Sequence, residues 1–322
     1  MFGSASTSNL LRAIRDNNAE LVRELVRDDE RAVTQARGMR GQSALVEAVS
    51  FASDEIVELL LTVLGSRGDV EAARMDGATA LYIAVAGNRC SDRTVRLLLA
   101  HDADVCAASA DGETVLDHAC LNGRVAVVQM LLSAGAVPTV HSLARAAAGG
   151  AVDVLHELVR AGVDVNGVCD DGTLPIICAA QRLQHDAVLA LLACGADVDA
   201  QGRYTKSALL AAVRTLEYRR LSLDHLQIVP LLLSAGAAVP HALWPRLSTV
   251  ATARSRELLG RACFAVIRAR AFQVLVALQD VGLPAWISLL ILRAMGRNAR
   301  LASLSCLWSL VTKVKHFHSS SA

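Results

Sequence analysis

Residues 111–119 read DGETVLDHA and residues 191–199 read LLACGADVD, and these two stretches decide the fold. Variants of the first stretch recur along the chain, each with one apolar residue at its centre. These central residues are Leu45, Leu81, Leu116, Leu143, Ile176 and Leu209, at steps of 36, 35, 27, 33 and 33 residues. A period near 33 residues predicts a row of small repeated units rather than one globular core.

The second stretch recurs five times, always at the end of an apolar run. Its copies are residues 97–105, 131–137, 158–166, 191–199 and 231–239. Four copies carry a glycine where a helix should stop, namely Gly135, Gly162, Gly195 and Gly236. Glycine readily adopts the left-handed conformation that ends many helices. In the remaining copy Asp102 takes this place, and aspartate adopts that conformation with some strain. We therefore expect the helix before Asp102 to have a less well fixed end.

Together the two stretches resemble the ankyrin repeat, whose pattern opens with DGxTPLHxAA and closes with LLLxxGADVN. The resemblance covers roughly residues 9–240. It implies an all-α solenoid of about six to seven helix pairs with short turn fingers, which binds proteins and performs no catalysis. The residues support this fold independently, because DG opens a tight turn and a hydroxyl can cap the following helix. The candidate caps are Thr79, Thr114 and Ser207.

Three repeats depart from the pattern. The first, residues 9–35, lacks the DG turn and is dense in charge, as an exposed terminal repeat requires. The repeat around Leu143 is about six residues short, with residues 136–138 (AVP) in place of DG. The repeat around Leu209 has an insertion of about eight residues within 215–225, which is either a contact loop or a tolerated surface loop.

The composition is 53% hydrophobic but only 3% aromatic, which suits closely packed small helices. The formal net charge of +1 hides an asymmetry, because residues 241–322 hold eleven basic and two acidic residues. We divide the chain into a flexible N-terminus at 1–8, an ankyrin array at 9–240 and a basic helical segment at 241–322 that caps the array. The basic segment suits an acidic protein partner better than a nucleic acid, and a membrane surface is an open alternative.

The eight cysteines form neither a CxxC pair nor a zinc-finger spacing, which predicts reduced thiols in a cytoplasmic protein, with the nucleus as an alternative. No signal peptide is evident at the start of the sequence. The longest apolar stretch, residues 283–292, is too short to span a bilayer. We expect a monomer with no transmembrane segment.

The C-terminal segment carries a second resemblance. Leu259, Cys263 and Ile267, followed by Leu283-Pro284, are similar to a SOCS box over about 255–292. In that family an apolar helix enters a pocket of Elongin C, and the Leu-Pro segment faces a cullin. The resemblance implies a substrate receptor of an Elongin–cullin ubiquitin ligase. The alternative is a helical cap that needs no partner.

No catalytic, cofactor or metal motif is apparent: the Walker loop, GxGxxG, HExxH and GxSxG are all missing. His118 lies beside a helix start, where a structural hydrogen bond explains it better than a catalytic base. His316 and His318 belong to a stretch best explained as a solvated tail. We therefore expect no enzyme, no cofactor and no bound metal.

In ankyrin arrays the partner lies across the turn tips and the concave face of the first helices. The residues at those positions here are Met75, Ala78, Ala110, Glu113, Asp170, Thr173, Gln181, Arg182, Lys206 and Arg214. Their mixed character does not identify a ligand. The sequence thus favours a protein-binding scaffold, with a ligase receptor and a nucleic-acid or membrane adaptor as alternatives.

Overall fold

A computed structural model describes residues 5–38, 42–65, 78–87, 91–203, 207–218 and 227–238. Within these residues the chain is helical, and the extended pairing amounts to two isolated bridges, Arg37 with Ser43 and Ala108 with Thr114. The chain forms two compact units, residues 1–197 with 202–204 and residues 198–201 with 205–322.

The first unit is built from short helices joined by loops. They are α1 (Ala5–Arg15), α2 (Ala19–Asp28), α3 (Arg31–Gln35), α4 (Ala44–Phe51), α5 (Asp54–Leu64), α6 (Ala80–Ala86), α7 (Asp92–Ala100), α8 (Val115–Leu121), α9 (Val125–Ser133), α10 (Val140–Gly149), α11 (Val152–Arg160), α12 (Pro175–Gln181) and α13 (His185–Ala193). Apart from the one-turn helix α3, they form six consecutive helix pairs, which we number repeats 1 to 6.

The pairs line up in two rows. Helices α1, α4, α6, α8, α10 and α12 each pack against the next to make the inner row, while α2, α5, α7, α9, α11 and α13 make the outer row. Each repeat thus contacts chiefly its neighbours, which is the arrangement of a solenoid. The predicted all-α solenoid is confirmed.

Hydroxyl groups fix where the inner helices begin. The Thr79 side chain accepts a hydrogen bond from Tyr82 N–H at 3.2 Å, and the Thr114 side chain accepts one from Asp117 N–H at 3.2 Å. Asp117 in turn accepts a hydrogen bond from Thr114 N–H, which completes a capping box. The predicted caps at Thr79 and Thr114 are confirmed.

Left-handed residues fix where the outer helices end. Gly135, Gly162 and Gly195 have φ of 98°, 92° and 91°, as the sequence predicted. Asp102 takes the same role after α7 with φ of 58°, so a residue with a Cβ occupies a conformation that favours glycine.

Aliphatic side chains fill the space between the rows. Leu98 and Leu131 from the outer row are completely buried. Ala84, Ala119 and Ala179 on the inner row are also fully buried, and their small size lets neighbouring helices approach closely. Each buried leucine contributes about 2 kcal/mol of transfer free energy, so stability accumulates repeat by repeat.

The second unit contains helices α14 (Ala208–Tyr218) and α15 (Ile228–Ser234), which pack against each other. Ser207 Oγ accepts a hydrogen bond from Leu210 N–H at 3.4 Å, as predicted for a capping residue. Gly236, two residues beyond α15, has φ of 98°. This unit therefore repeats the helix-pair design of the first.

Some predicted boundaries differ from the structure. Helix α1 begins at Ala5, inside the predicted flexible segment 1–8, and Thr7 is buried. Residues 215–218 of the predicted insertion continue α14 as helix instead of forming a loop. The predicted C-terminal cap at 241–322 lies outside the described residues, as do the ligase-docking candidates Leu259, Cys263, Ile267, Leu283 and Pro284.

Candidate protein-binding surface

Turn fingers project beside the inner helices, and two of them are described over their full length. In finger 4, residues 108–114, Ser109 N–H donates to the Glu113 carbonyl at 2.9 Å. In finger 6, residues 169–173, Cys169 N–H donates to the Thr173 carbonyl at 2.8 Å. Both tips turn through a glycine with positive φ after an aspartate, as the DG pattern predicted. We call the exposed side of the inner helices, with these fingers, the inner surface.

The structure places the predicted contact residues unevenly. In the first unit, Ala110, Asp170 and Arg182 are exposed, and Glu113, Thr173 and Gln181 are half-buried. Arg214 is exposed on α14 of the second unit, whereas Met75 and Lys206 lie outside the described residues.

Ala78 corrects one prediction. Only 6% of this residue is exposed, because it directly precedes Thr79, the N-cap of α6, and is covered there. It therefore offers almost no surface to a partner.

A polar network links three successive repeats on the inner surface. Tyr82 Oη lies 2.6 Å from His118 Nε2, and the two rings meet edge to face with centroids 4.9 Å apart. His118 Nε2 also lies 2.9 Å from the Glu113 carboxylate, and Arg145 forms an ion pair with Glu113 at 3.1 Å. The role predicted for His118, a structural hydrogen bond, is confirmed.

The network keeps its members partly accessible. The side chains of His118, Glu113 and Arg145 are 19%, 26% and 22% exposed, so each presents one edge outward while its other atoms are held. Arg145 Nε is buried and has no hydrogen-bond partner among the described residues. Side chains held in this way lose little conformational freedom when they bind.

Beneath the network lies a buried carboxylate. Asp117 is 2% exposed, and it accepts hydrogen bonds from Thr114 Oγ1 at 2.8 Å and from Ser142 Oγ at 2.7 Å. Because Ser142 belongs to α10, these bonds tie α8 to the next inner helix. A buried carboxylate requires such donors, so the pairing fixes the positions of neighbouring repeats.

The described cysteines are free thiols, namely Cys106, Cys120, Cys169, Cys178 and Cys194. Burial raises the pKa of Cys169 to about 11 and also raises the pKa of Cys120 and of Cys178. These three thiols are therefore protonated at neutral pH and are weak nucleophiles.

The described ranges contain no cluster of three or more His, Cys, Asp or Glu side chains that could hold a metal ion. No helix in that part of the chain combines the length and apolarity needed to cross a bilayer.

Tyr82 and Arg145 were not among the predicted site residues. A usable signal was nevertheless present, because His118 and Arg145 both stand two residues after the central leucine of their repeats. Since the same position in successive repeats faces the same side of the row, these residues could have been predicted as neighbours.

Comparison with known proteins identifies the repeats. The family model for ankyrin repeats (3 copies) matches residues 63–142 and 143–241. The ankyrin repeat domain of Bcl-3, a unique member of the IkappaB protein family, is 24% identical with a TM-score of 0.52, covering 69% of this chain and 97% of that one. The human ASB11 ankyrin repeat domain is 19% identical with a TM-score of 0.58, covering 72% and 99%. No curated protein matches the sequence.

The two solved domains share the fold, and the family match covers more than half of the chain. Ankyrin repeats are generally protein–protein interaction modules and typically carry no enzymatic activity. The predicted resemblance is confirmed: the chain belongs to the ankyrin-repeat family.

Proposed function

We propose that the chain is a non-enzymatic scaffold that binds a protein partner on its inner surface. The observation that carries this proposal is the network of Tyr82, His118, Glu113 and Arg145, which holds polar side chains from three repeats while leaving them partly exposed. A partner would meet a preorganised set of donors and acceptors, which reduces the entropy lost on binding.

The contact residues of the proposal are those of the inner surface that are accessible. In the first unit these include Ala110 on finger 4, Asp170 on finger 6 and Arg182 at the end of α12. Their charges differ in sign, so the partner would be selected by a pattern of contacts rather than by one uniform charge. A few central residues would carry most of the binding energy.

The experiment starts with affinity purification of the partner from cells that express the chain, followed by titration of purified partner against variants. The double variant Asp170→Lys/Arg182→Glu changes two exposed charges of the inner surface. Its matched control, Asp153→Lys/Arg160→Glu, makes the same two changes on the exposed side of α11 in the outer row.

We expect the inner-surface variant to weaken binding about tenfold or more, and the α11 variant to leave the affinity unchanged. If the α11 variant weakens binding and the inner-surface variant does not, the partner uses the outer row and the proposal fails.

The non-enzymatic part of the proposal draws on the chemistry of the described side chains. Cys120, Cys169 and Cys178 are kept protonated by burial, and His118 is engaged with Tyr82 and Glu113. Neither arrangement resembles an activated nucleophile with its base.

A second candidate function is that of a substrate receptor of an Elongin–cullin ubiquitin ligase. The observation that favours it is the order of Leu259, Cys263 and Ile267 followed by Leu283-Pro284, which resembles a SOCS box. In this candidate the ankyrin repeats would select the substrate and the C-terminal segment would recruit the ligase.

Purified Elongin B/C and the full chain test this candidate in a pull-down. We expect stable recovery of the complex, loss of recovery with Leu259→Asp, and full recovery with the control Leu275→Asp, which lies outside the pattern. Recovery that is absent with the unmodified chain, or unchanged by Leu259→Asp, excludes the ligase candidate.

A further inference from the structure

Repeat 5 lacks a finger. Residues 134–139 connect α9 to α10, whereas the connections before α8 and before α12 each take fourteen residues, 101–114 and 161–174. The shorter connection reaches Thr139, the N-cap of α10, without forming a hairpin. Finger 4 and finger 6 are therefore separated by one missing finger.

The neighbours of Gly172 show what a finger normally meets. Arg203, which lies beyond α13 in the first unit, donates its backbone N–H to the Gly172 carbonyl at 2.7 Å. The Arg203 side chain also covers Gly172, since a Cβ built on that glycine would lie 2.4 Å from Arg203 Cβ. Gly172 at the tip of finger 6 is consequently buried beneath Arg203.

Gly112 occupies the equivalent place on finger 4 without such a cover. It follows an aspartate in the same DG turn and has a similar φ, 80° against 78° for Gly172. A Cβ built on Gly112 would meet no described residue within 4 Å, and Gly112 itself is exposed. The Gly112 carbonyl accepts no backbone hydrogen bond from the described residues.

Acidic and apolar side chains surround this gap, together with His141 at the start of α10, which interacts electrostatically with Asp171 of finger 6. Asp111 is exposed and makes no hydrogen bond or ion pair within the described residues, and Asp170 is exposed on the other side of the gap. Val137 in the short connection is 71% exposed, and Val168 at the entrance of finger 6 is 59% exposed. These are unusually accessible positions for large apolar side chains.

Chain contacts place these residues around the start of α10. A Cβ built on Gly167 would lie 2.5 Å from Val140 Cγ2, so the entrance of finger 6 rests against the first residue of α10. Val137 lies three residues before Val140, and Val168 follows Gly167 directly. The gap is therefore bounded by finger 4, by the start of α10 and by finger 6.

We propose that this gap, which we call the finger slot, is a docking site for an extended segment of the partner that carries an arginine or lysine. The segment binds to Gly112 in the way that Arg203 binds to Gly172, with a backbone N–H on the glycine carbonyl and a side chain over the glycine. This inference rests on the proposed function, because it names the kind of segment that the scaffold accepts.

Three features select such a segment. The open Gly112 carbonyl accepts a backbone N–H, as the Gly172 carbonyl does from Arg203. The carboxylates of Asp111 and Asp170 favour a cationic side chain over an anionic one. Val137 supplies apolar surface for the aliphatic stem of that side chain. An added strand-like segment of this kind gains affinity from its main chain and specificity from its side chains.

The chain segment that covers Gly172 on finger 6 provides the probe peptide. A synthetic peptide with the sequence of residues 200–207, AQGRYTKS, contains Arg203, and the comparison peptide carries Arg203→Glu. Each peptide is titrated into the isotopically labelled full chain, and the backbone amide signals of Gly112 and Glu113 are followed by NMR. Asp111→Lys tests the slot, and Asp153→Lys on α11 is the matched control.

We expect a saturable shift of the Gly112 signal with the arginine peptide and none with the glutamate peptide. Reversing the exposed charge of Asp111 should weaken binding about fivefold, while Asp153→Lys leaves it unchanged. A third variant, in which residues 161–174 replace residues 134–139, restores a finger to repeat 5 and should abolish the shift.

Three results overturn the inference: an unmoved Gly112 signal, equal binding of the two peptides, or equal weakening by Asp111→Lys and Asp153→Lys. The proposed function fails separately. If the arginine peptide binds at Gly112 but Asp170→Lys/Arg182→Glu leaves partner affinity unchanged, the slot remains a peptide-binding site, while the scaffold proposal and the docking of the partner's segment both fall. If that double variant weakens partner binding while Gly112 stays unmoved, the scaffold proposal stands and the slot falls.

Discussion

The outer helices are held together in two different ways along the first unit. In its N-terminal part an ion pair joins each outer helix to the next. The pairs are Arg23–Glu55 for α2 and α5, Arg93–Glu58 for α5 and α7, and the less exposed Arg124–Asp92 for α9 and the start of α7. Between α9, α11 and α13 no ion pair occurs in the described residues. Helix α9, VAVVQMLLS, carries no charged residue at all.

The inner row instead has buried carboxylates, such as Glu47 on α4, which pairs with Arg15 at the end of α1. Its central seam, between α8 and α10, contains the buried bond from Ser142 to Asp117 as well as the Arg145–Glu113 pair. An exposed ion pair contributes little because water screens it, whereas a buried carboxylate that loses its donors is costly. We infer that apolar burial stabilises the ion-paired N-terminal part and the part from α9 to α13 equally. The polar groups differ, because the buried ones contribute more to the free energy of unfolding than the exposed ones.

The largest expected effect tests whether apolar burial is equal in the two parts. Leu98 on α7 and Leu131 on α9 are both fully buried, one beside an ion pair and one in the uncharged helix. Replacing either by alanine should lower the free energy of unfolding by about 2–5 kcal/mol, as measured by urea denaturation of the full chain.

Gln129→Ala, at an exposed position of α9, is the control and should change little. If Leu98→Ala lowers the free energy of unfolding by less than half as much as Leu131→Ala, the ion pairs and not apolar burial stabilise the N-terminal part. Apolar burial would then not be equal in the two parts.

The next effect compares two aspartates that each join neighbouring repeats. Asp117→Ala removes the acceptor of Thr114 and Ser142 from a buried site, and should cost about 2 kcal/mol because those donors stay unsatisfied. Asp92→Ala removes the partner of Arg124 from a half-exposed site, and should cost about 0.5 kcal/mol or less. Thermal unfolding of both variants measures the difference, and equal costs would contradict the distinction between buried and exposed polar groups.

Most of the fold could be predicted from the sequence because the signals are local and repeat. The capping roles of Thr79 and Thr114 follow from neighbours within one turn, and the helix-ending role of Gly135 follows from its place after an apolar run. The residues of the candidate site were harder to predict from the sequence. Ala78 has the turn-tip position of an exposed residue, yet its burial depends on packing that the pattern does not encode.

The polar network was missed for a related reason. Tyr82 and His118 are 36 residues apart in sequence, and their contact depends on the register between neighbouring repeats. The short connection before α10 reduces the sequence separation of the next pair, so Arg145 meets Glu113 over 32 residues. A pattern read one repeat at a time does not reveal pairs of this kind.

A smaller effect concerns the helix ends of the two parts. Asp102 closes α7 with φ of 58°, where Gly135 closes α9 with φ of 98°. Asp102→Gly should raise the free energy of unfolding by about 0.5–1 kcal/mol, because glycine adopts positive φ without strain. Gly135→Ala should lower it by a similar amount, and hydrogen exchange at the ends of α7 and α9 locates both changes. If Asp102→Gly is destabilising, the aspartate side chain stabilises this helix end by another route.

The smallest effect comes from the exposed ion pairs themselves. Arg93 and Glu58 are 60% and 46% exposed, so Arg93→Ala should change the free energy of unfolding by about 0.5 kcal/mol or less, and high salt should reproduce that change. Arg124 is only 18% exposed and also donates to the Ala84 carbonyl at 3.1 Å, so Arg124→Ala should cost more, about 1 kcal/mol. Denaturation at low and high salt distinguishes Arg93→Ala from Arg124→Ala, because salt weakens the ion pairs but not the hydrogen bond from Arg124 to the Ala84 carbonyl. Equal salt sensitivity would place Arg124 with the exposed pairs and keep the border between the two parts at α9.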